Sequence, residues 1–393
     1  MRKLKWIALA LLALAAIGFF AVAPGQIETG MNRIDGKPLI AVSAEARALH
    51  KTLTIVDLHS DTLMWDRDLT QPSSRGHEDL PRLQAGNVAL QVFSSVTKTP
   101  RGQNYDANGA DTDNITPLVI AQAQPIRTWG SLLQRSLYHG EKLDRAVAGS
   151  NGALIKVADD ASLDRALVAR ARGERPVGAM LSVEGLQNLE GKLDNLRSLY
   201  RAGFRMASLT HFFDNDLAGS MHGLKKGGLT PKGRKAIERM EALGMIVDIA
   251  HCSHRCVAEV LAMAKRPVVS SHGGVQATCK VNRNLTDEEI RGVARTGGIV
   301  GIGYWEGAVC STDPRATAKA IRHVRDLVGI DHVALGSDYD GATTVRFDTS
   351  QLVQVTQALL DAGFVPDEVR KVMGENALRV IRAGIVPAGA PPR

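Results

Sequence analysis

His59-Ser60-Asp61 closes a short apolar run, Leu53-Thr54-Ile55-Val56-Asp57-Leu58. Residues two apart in a strand point to the same face. An imidazole and a carboxylate therefore stand side by side where a buried strand runs out into a loop. Zinc and similar divalent cations take such N and O donors. The triplet alone fits a surface polar cluster equally well.

The ends of other apolar runs carry more of the same chemistry. One ends Ser182-Val-Glu184-Gly185, another Leu209-Thr-His211, and a third reads Val247-Asp-Ile-Ala-His251. Two more end Val269-Ser-Ser-His272 and Leu335-Gly-Ser-Asp338. His59, His211, His251 and His272 with Asp61, Glu184 and Asp338 are too many donors for one tetrahedral zinc. Two ions bridged by a carboxylate would use most of them. Such a pair lowers the pKa of a bridging water and supplies a hydroxide nucleophile at neutral pH. The expected reaction is metal-assisted hydrolysis of an amide or ester.

The elements that must position these residues recur with a rhythm. Strand-like runs are expected over 54–59, 88–96, 177–184, 205–211, 245–251, 267–272, 298–305 and 332–338. Helical patterns lie between most of them, over 192–202, 230–243, 252–264, 287–296, 314–328 and 349–362. Thr230 before Pro231, and Thr286, are N-cap residues. Alternating strands and helices predict a (β/α)8 barrel, in which the C-terminal ends of all strands open onto one face. An open doubly wound sheet is the alternative, but no Gly-rich phosphate loop opens a helix. Residues 97–149 break the rhythm as an insertion after the second strand, expected as a loop and a helix over 116–139.

Composition narrows the function. The net charge is +7, to which Arg2, Lys3 and Lys5 contribute, and no basic run with interleaved aromatics supports nucleic-acid binding. Those three cations precede an apolar stretch from Trp6 to Ala23, the pattern of an export signal or an uncleaved membrane anchor. Ala21-Val22-Ala23 resembles a cleavage site, but Pro24 follows it directly and favours retention. The chain is expected to divide into a signal or anchor (1–30), a barrel domain (31–385) and a frayed tail (386–393). Export makes Cys252, Cys256, Cys279 and Cys310 candidates for oxidation. Cys279 and Cys310 can pair as a disulfide, or all four can stay thiols.

Taken in order, Val56-Asp-Leu-His-Ser-Asp61, Ser182-Val-Glu-Gly-Leu186, Leu209-Thr-His211, Val247-Asp-Ile-Ala-His251, Pro267-Val-Val-Ser-Ser-His272, Asn282-Arg-Asn284, Leu335-Gly-Ser-Asp-Tyr-Asp-Gly341 and Gly374-Glu-Asn-Ala-Leu-Arg-Val380 resemble the membrane dipeptidase (renal dipeptidase-like) family of zinc metallopeptidases, amidohydrolase-type barrels. The resemblance implies two Zn2+ per chain: His59 and Asp61 on the first, His251 and His272 on the second, Glu184 bridging. It implies His211 as an unliganded oxyanion and substrate contact, and Arg283 as a substrate-pocket cation. Asp338 would handle protons and the substrate's amine, and Tyr304 would line the carboxylate end. Arg283 and Asp338 would sit at opposite ends of the pocket and measure a dipeptide. Cys279 and Cys310 fall where some members have a disulfide. The resemblance implies a small dipeptide as substrate, and the N-terminal segment predicts a periplasmic chain tethered to the inner membrane, or a secreted one if cleaved. A homodimer is common in the family and stays open here.

Other polar residues read more plainly. Asp57 and Asp248 are either carboxylates behind the ligands or surface groups. His222, His254 and His332 read as exposed histidines, and Asp340 as a turn residue. Two competing functions remain: a barrel hydrolase of another small amide, lactam or N-acyl amino acid, and a non-catalytic surface-anchored binding protein.

Overall fold

The computed structural model describes residues 2–385; the expected tail 386–393 lies outside them. Eight parallel strands form the barrel: Ile55–Ser60 (β1), Val88–Phe93 (β2), Val177–Val183 (β3), Phe204–Ser208 (β4), Ile246–Asp248 (β5), Val269–Ser270 (β6), Ile299–Ile302 (β7) and Val333–Leu335 (β8). Each pairs with the next. β8 returns to β1 through Leu335 opposite Asp57, and Leu90 opposite Gly178 joins β2 to β3. The sheet is therefore closed and TIM-like, as the rhythm of runs predicts.

Apolar side chains from all eight strands, among them Val56, Leu90, Met180, Met206, Ile246, Val269, Ile299 and Ala334, form one buried cluster with Ala377, Val380 and Ile381 of the helix Asn376–Gly384. That C-terminal helix closes the end of the barrel away from the candidate site. A second cluster joins the strands to the surrounding helices, for example Val247 and Val268 with Ile237, Val257 and Ile290. The caps act locally as expected. Thr230 Oγ1 accepts from Gly233 N at 3.0 Å, and Thr286 forms a reciprocal capping box with Glu289. The helix after β5 starts at His254 rather than at 252, because Ser253 takes the cap and accepts from Cys256 N at 3.0 Å.

Three expectations need correction. The insertion holds two helices, Ile115–Ala121 and Leu132–Gly149, where one is expected over 116–139. Pro125 and Gly130 interrupt it, and Ser131 caps the second helix. A short strand, Leu154–Lys156, is absent from the sequence reading; it pairs with β3 from Val177 to Ala179, beside the stretch that pairs with β4. Most strands also stop before their polar ends. The run 245–251 is a strand only over Ile246–Asp248, and the run 332–338 only over Val333–Leu335. His251 (φ 63°) and Asp338 (φ 56°) have left-handed backbone, which cannot continue a ladder.

The N-terminal segment is one continuous helix. Arg2–Ile17 passes through a π turn at Gly18–Val22 into Ala23–Met31. Lys3–Met31 is long and apolar enough to cross a membrane. Pro24 falls in the first turn after the π segment, where a missing N–H is tolerated. Beyond the helix, Arg33–Ile34 pairs with Thr344–Val345, in the loop that follows β8.

Candidate active site

The C-terminal ends of six strands bring the donors together. His59 lies within β1 and Asp61 just after it, while Glu184, His211, His251, His272 and Asp338 follow β3, β4, β5, β6 and β8. All seven are buried. Glu184 is central. Its Oε1 lies 2.8 Å from His251 Nε2 and 3.2 Å from His272 Nε2. Its Oε2 lies 3.5 Å from His59 Nε2 and 3.6 Å from His211 Nε2. On the far side His59 Nε2 is 3.6 Å from Asp61 Oδ1 and 4.0 Å from Asp338 Oδ1. The donors fall into three overlapping groups with metal-ligand reach: His59, Glu184 and His272; Glu184, His211 and His251; His59, Asp61 and Asp338.

The donor chemistry fits cations. His251 Nε2 and His272 Nε2 face each other at 3.0 Å, an arrangement of two lone pairs that a shared cation or proton must relieve. Both nitrogens of His59 and Asp61 Oδ1 are buried without a hydrogen bond. Such orphaned groups cost about 1–3 kcal/mol each unless something binds them. The charges are correlated too. Burial pushes the Glu184 carboxyl up, but His211, His59, His251 and His272 overcome it and hold it well below the usual carboxylate range. Burial works against the His59 imidazolium, yet Glu184 and Asp61 raise its pKa well above normal. Burial, with the Glu184 charge, pushes Asp61 up to about 6.

Carboxylates behind the donors fix their orientation. Asp57 is fully enclosed and accepts from His59 N at 3.0 Å and from Ser337 N and Oγ at 3.1 Å, tying β1 to the β8 loop. Asp248 Oδ1 accepts from Ala250 N and Ser271 N at 2.9 Å, and its Oδ2 accepts from Ser271 Oγ at 2.6 Å. Ser271 Oγ stands 2.9 Å from His272 Nδ1, so Asp248 acts on that imidazole through one hydroxyl. Asp340, expected as a turn residue, is a buried hub. It accepts from Thr62 Oγ1 at 2.8 Å, from His77 N at 2.6 Å and from Arg67. Gly341 lets that loop close on the site, since a Cβ there would collide with Asp338 and stand 2.9 Å from Asp61 Oδ2.

A cavity of about 790 Å³ opens above the donors. Asp61, Glu184, His211, His251, Arg283 and Asp338 line its floor and one side. Arg283 and Asp338 are not at opposite ends: Arg283 Nη1 lies 3.9 Å from Asp338 Oδ2, and the guanidinium stacks 4.7 Å from the Trp305 ring. Tyr304, expected at the carboxylate end, is 1% exposed and turns into the core, its hydroxyl 3.5 Å from Asp57 Oδ2. The neighbouring Trp305 lines the cavity instead.

His222 also departs from expectation. It is buried, stacks on Phe212 at 4.6 Å and stands 5.2 Å from the His251 ring. No spacing in the sequence signals this, because a loop folded back from the barrel carries it there. The insertion helix Ile115–Ala121 supplies Ile115 and Leu118 to the cavity wall. Cys279 and Cys310 are bonded, Sγ–Sγ 2.07 Å, while Cys252 and Cys256 are buried thiols.

A closed parallel barrel with a buried His/Glu/Asp cluster at the C-terminal ends of its strands is a TIM-like fold carrying groups that can bind metal on the face where barrel active sites lie. The profile of Membrane dipeptidase (Peptidase family M19) matches residues 43–385. The chain belongs to this family and is a metallo-dipeptidase, a hydrolase acting on peptide bonds. Dipeptidase tcpJ of Claviceps purpurea is 28% identical over 328 residues, spanning 80% of this chain and 71% of that protein. Among solved structures, the probable dipeptidase PvdM from Pseudomonas aeruginosa superposes with TM-score 0.70 at 19% identity, covering 86% of this chain and 97% of that one. A metallo peptidase from Rhodobacter sphaeroides, liganded with a phosphinate mimic of the dipeptide L-Ala-D-Ala, gives TM-score 0.68 at 22% identity, covering 85% and 99%.

Proposed function

We propose that this chain cleaves small dipeptides at a two-zinc centre in which Glu184 is shared. The observation that carries this is the division of the Glu184 carboxylate, Oε1 toward His251 and His272 and Oε2 toward His59. His59 and Asp61 would hold one ion, His251 and His272 the other. Zinc bound there supplies Lewis acidity and lowers the pKa of water near neutrality.

The chain's own groups do the rest. Glu184 and Asp61 provide the negative charge that offsets the cations. Asp57 and Asp248 hold β1 and His272 in register. His211 Nε2, 3.6 Å from Glu184 Oε2 and left outside the two proposed ligand pairs, would donate to the oxygen of the scissile carbonyl as charge develops there. Arg283 presents a guanidinium to the substrate carboxylate. Burial raises the Asp338 carboxyl well above its ordinary range, although His59 and Arg283 pull it down, which suits a group that passes a proton to the departing amine. Water and one peptide bond yield two free amino acids. The Rhodobacter sphaeroides relative's dipeptide mimic supports a substrate of this size. The N-terminal helix supports attachment to a membrane, and with its basic end inside, the barrel lies on the periplasmic side.

Metal analysis with a panel of L,L- and L,D-dipeptides and their N-acetylated forms tests this reading. About two ions per chain and hydrolysis only of substrates with a free amine are expected. Equal turnover of N-acetylated substrates would move the reading to an N-acyl amino acid hydrolase. Full activity in the metal-free protein would overturn it.

A further inference from the structure

The cavity has a wall that the chemistry above leaves unused. Its side near the β1 and β8 loops is formed by Ala23, Ile27 and Met31 of the N-terminal helix, facing Met64 and Leu118. This stretch is built into the barrel. Glu28, 1% exposed, pairs with Arg67 and lies 2.9 Å from Arg75 Nε, and Arg67 also pairs with Asp340, one residue from the Gly341 turn. Ala342 N donates to Asn32 Oδ1 at 2.9 Å, and Arg33–Ile34 is hydrogen-bonded to Thr344–Val345. The last turns of the helix are therefore fixed to the loop that carries Asp338. Ile27 and Met31 nevertheless remain 40% and 43% exposed, and both line the cavity.

We propose that Ile27 and Met31 are specificity-determining residues: they form an apolar subsite, continuous with Met64 and Leu118, for a large apolar side chain of the dipeptide. The proposal rests on the dipeptidase reading and specifies its substrate class. A buried ion pair holds the wall in place, and two unbranched or flexible apolar side chains, Met31 and Met64, present a surface that adapts to ligand shape. The volume of about 790 Å³ is in the range of pockets for ligands well above two small residues. Cleavage at Ala21-Val22-Ala23 would leave Ile27 and Met31 in the mature protein, so the subsite survives either fate of the leader.

The full-length, zinc-loaded chain in phospholipid nanodiscs tests this. kcat/KM is measured for Xaa-Ala and Ala-Xaa series with Xaa as Ala, Leu or Phe. In one series, Leu and Phe are expected to exceed Ala by about tenfold, the effect of a filled apolar pocket. Met31→Ser with Ile27→Ser should bring that ratio close to one. Met31→Trp, which fills the space, should lower Phe more than Ala; it also covers the case in which the double variant does not fold, checked by its thermal midpoint. Unchanged ratios in folded variants overturn the subsite while leaving dipeptide hydrolysis intact. No hydrolysis of any dipeptide by the unmodified chain overturns the dipeptidase reading, and the subsite with it.

Discussion

Asp248→Asn changes one heavy atom and, at the proposed two-metal site, is expected to weaken His272 as a ligand. Three donors converge on Asp248: Ala250 N and Ser271 N on Oδ1 at 2.9 Å, and Ser271 Oγ on Oδ2 at 2.6 Å. The Ser271 hydroxyl has one proton, and Asp248 takes it. Ser271 Oγ then faces His272 Nδ1, 2.9 Å away, as an acceptor, so that nitrogen carries the imidazole's hydrogen. His272 Nε2 is left bare, 3.2 Å from Glu184 Oε1, free to bind a cation. In the Asp248→Asn variant the amide oxygen stays under the two backbone N–H groups, and the amide NH2 donates to Ser271 Oγ. The hydroxyl proton turns toward His272 Nδ1 and moves the ring hydrogen to Nε2. Restoring the ligand tautomer breaks one or two hydrogen bonds of about 0.5–1.5 kcal/mol each. Metal affinity at that position should fall roughly 10–100-fold, as for other groups behind metal ligands. Competition with a chromophoric zinc chelator at pH 7.5 measures it, with one ion weakened and the other held. Ser271→Ala, which leaves Nδ1 free to choose its proton, should cost less. Equal affinity for both ions in Asp248→Asn, or a greater loss in Ser271→Ala, would refute the proton relay.

Glu184→Ala should remove the shared charge and lower kcat by roughly a thousandfold or more, beyond what loss of one group behind a ligand costs; assay of kcat with metal content by mass spectrometry checks it. Cys279 and Cys310 are 31 residues apart, so Cys310→Ser should lower stability by roughly 3–4 kcal/mol through the freed unfolded chain, read from urea midpoints. His50 is held down to about 4 by burial, against a hydrogen bond to the Gly86 backbone that raises it. Below its unfolded pKa near 6.5, the unfolded chain takes a proton that the folded one refuses, so stability falls from about pH 6.5 to pH 4 and then levels. His50→Gln should flatten that acid limb by about 2–3 kcal/mol between pH 7 and pH 4.5; an unchanged difference in urea midpoints between the two pH values would contradict it.

The residues with the chemistry were legible in the sequence because a barrel makes a linear rule of a spatial one. Each strand delivers its last residues to the same face, so His59, Glu184, His211, His251, His272 and Asp338 could be read as one group across long separations. The helix starts were legible for a similar reason: Thr230 and Thr286 act within one turn of chain. Periodicity, cap chemistry and ligand type are local properties, and the fold class followed from them.

Only the tertiary structure decided what depends on side chains from distant segments meeting. It split the Glu184 carboxylate between two pairs of imidazoles, drew Arg283 to within 3.9 Å of Asp338, and turned Tyr304 into the core while Trp305 lines the cavity. It brought His222 against His251 from a loop with no signature. It also joined Glu28 of the N-terminal helix to Arg67 and Arg75, making the end of that helix part of the pocket wall. Contacts of this kind are set by loop closure and by the pairing of buried charges, and neither leaves a period in the sequence.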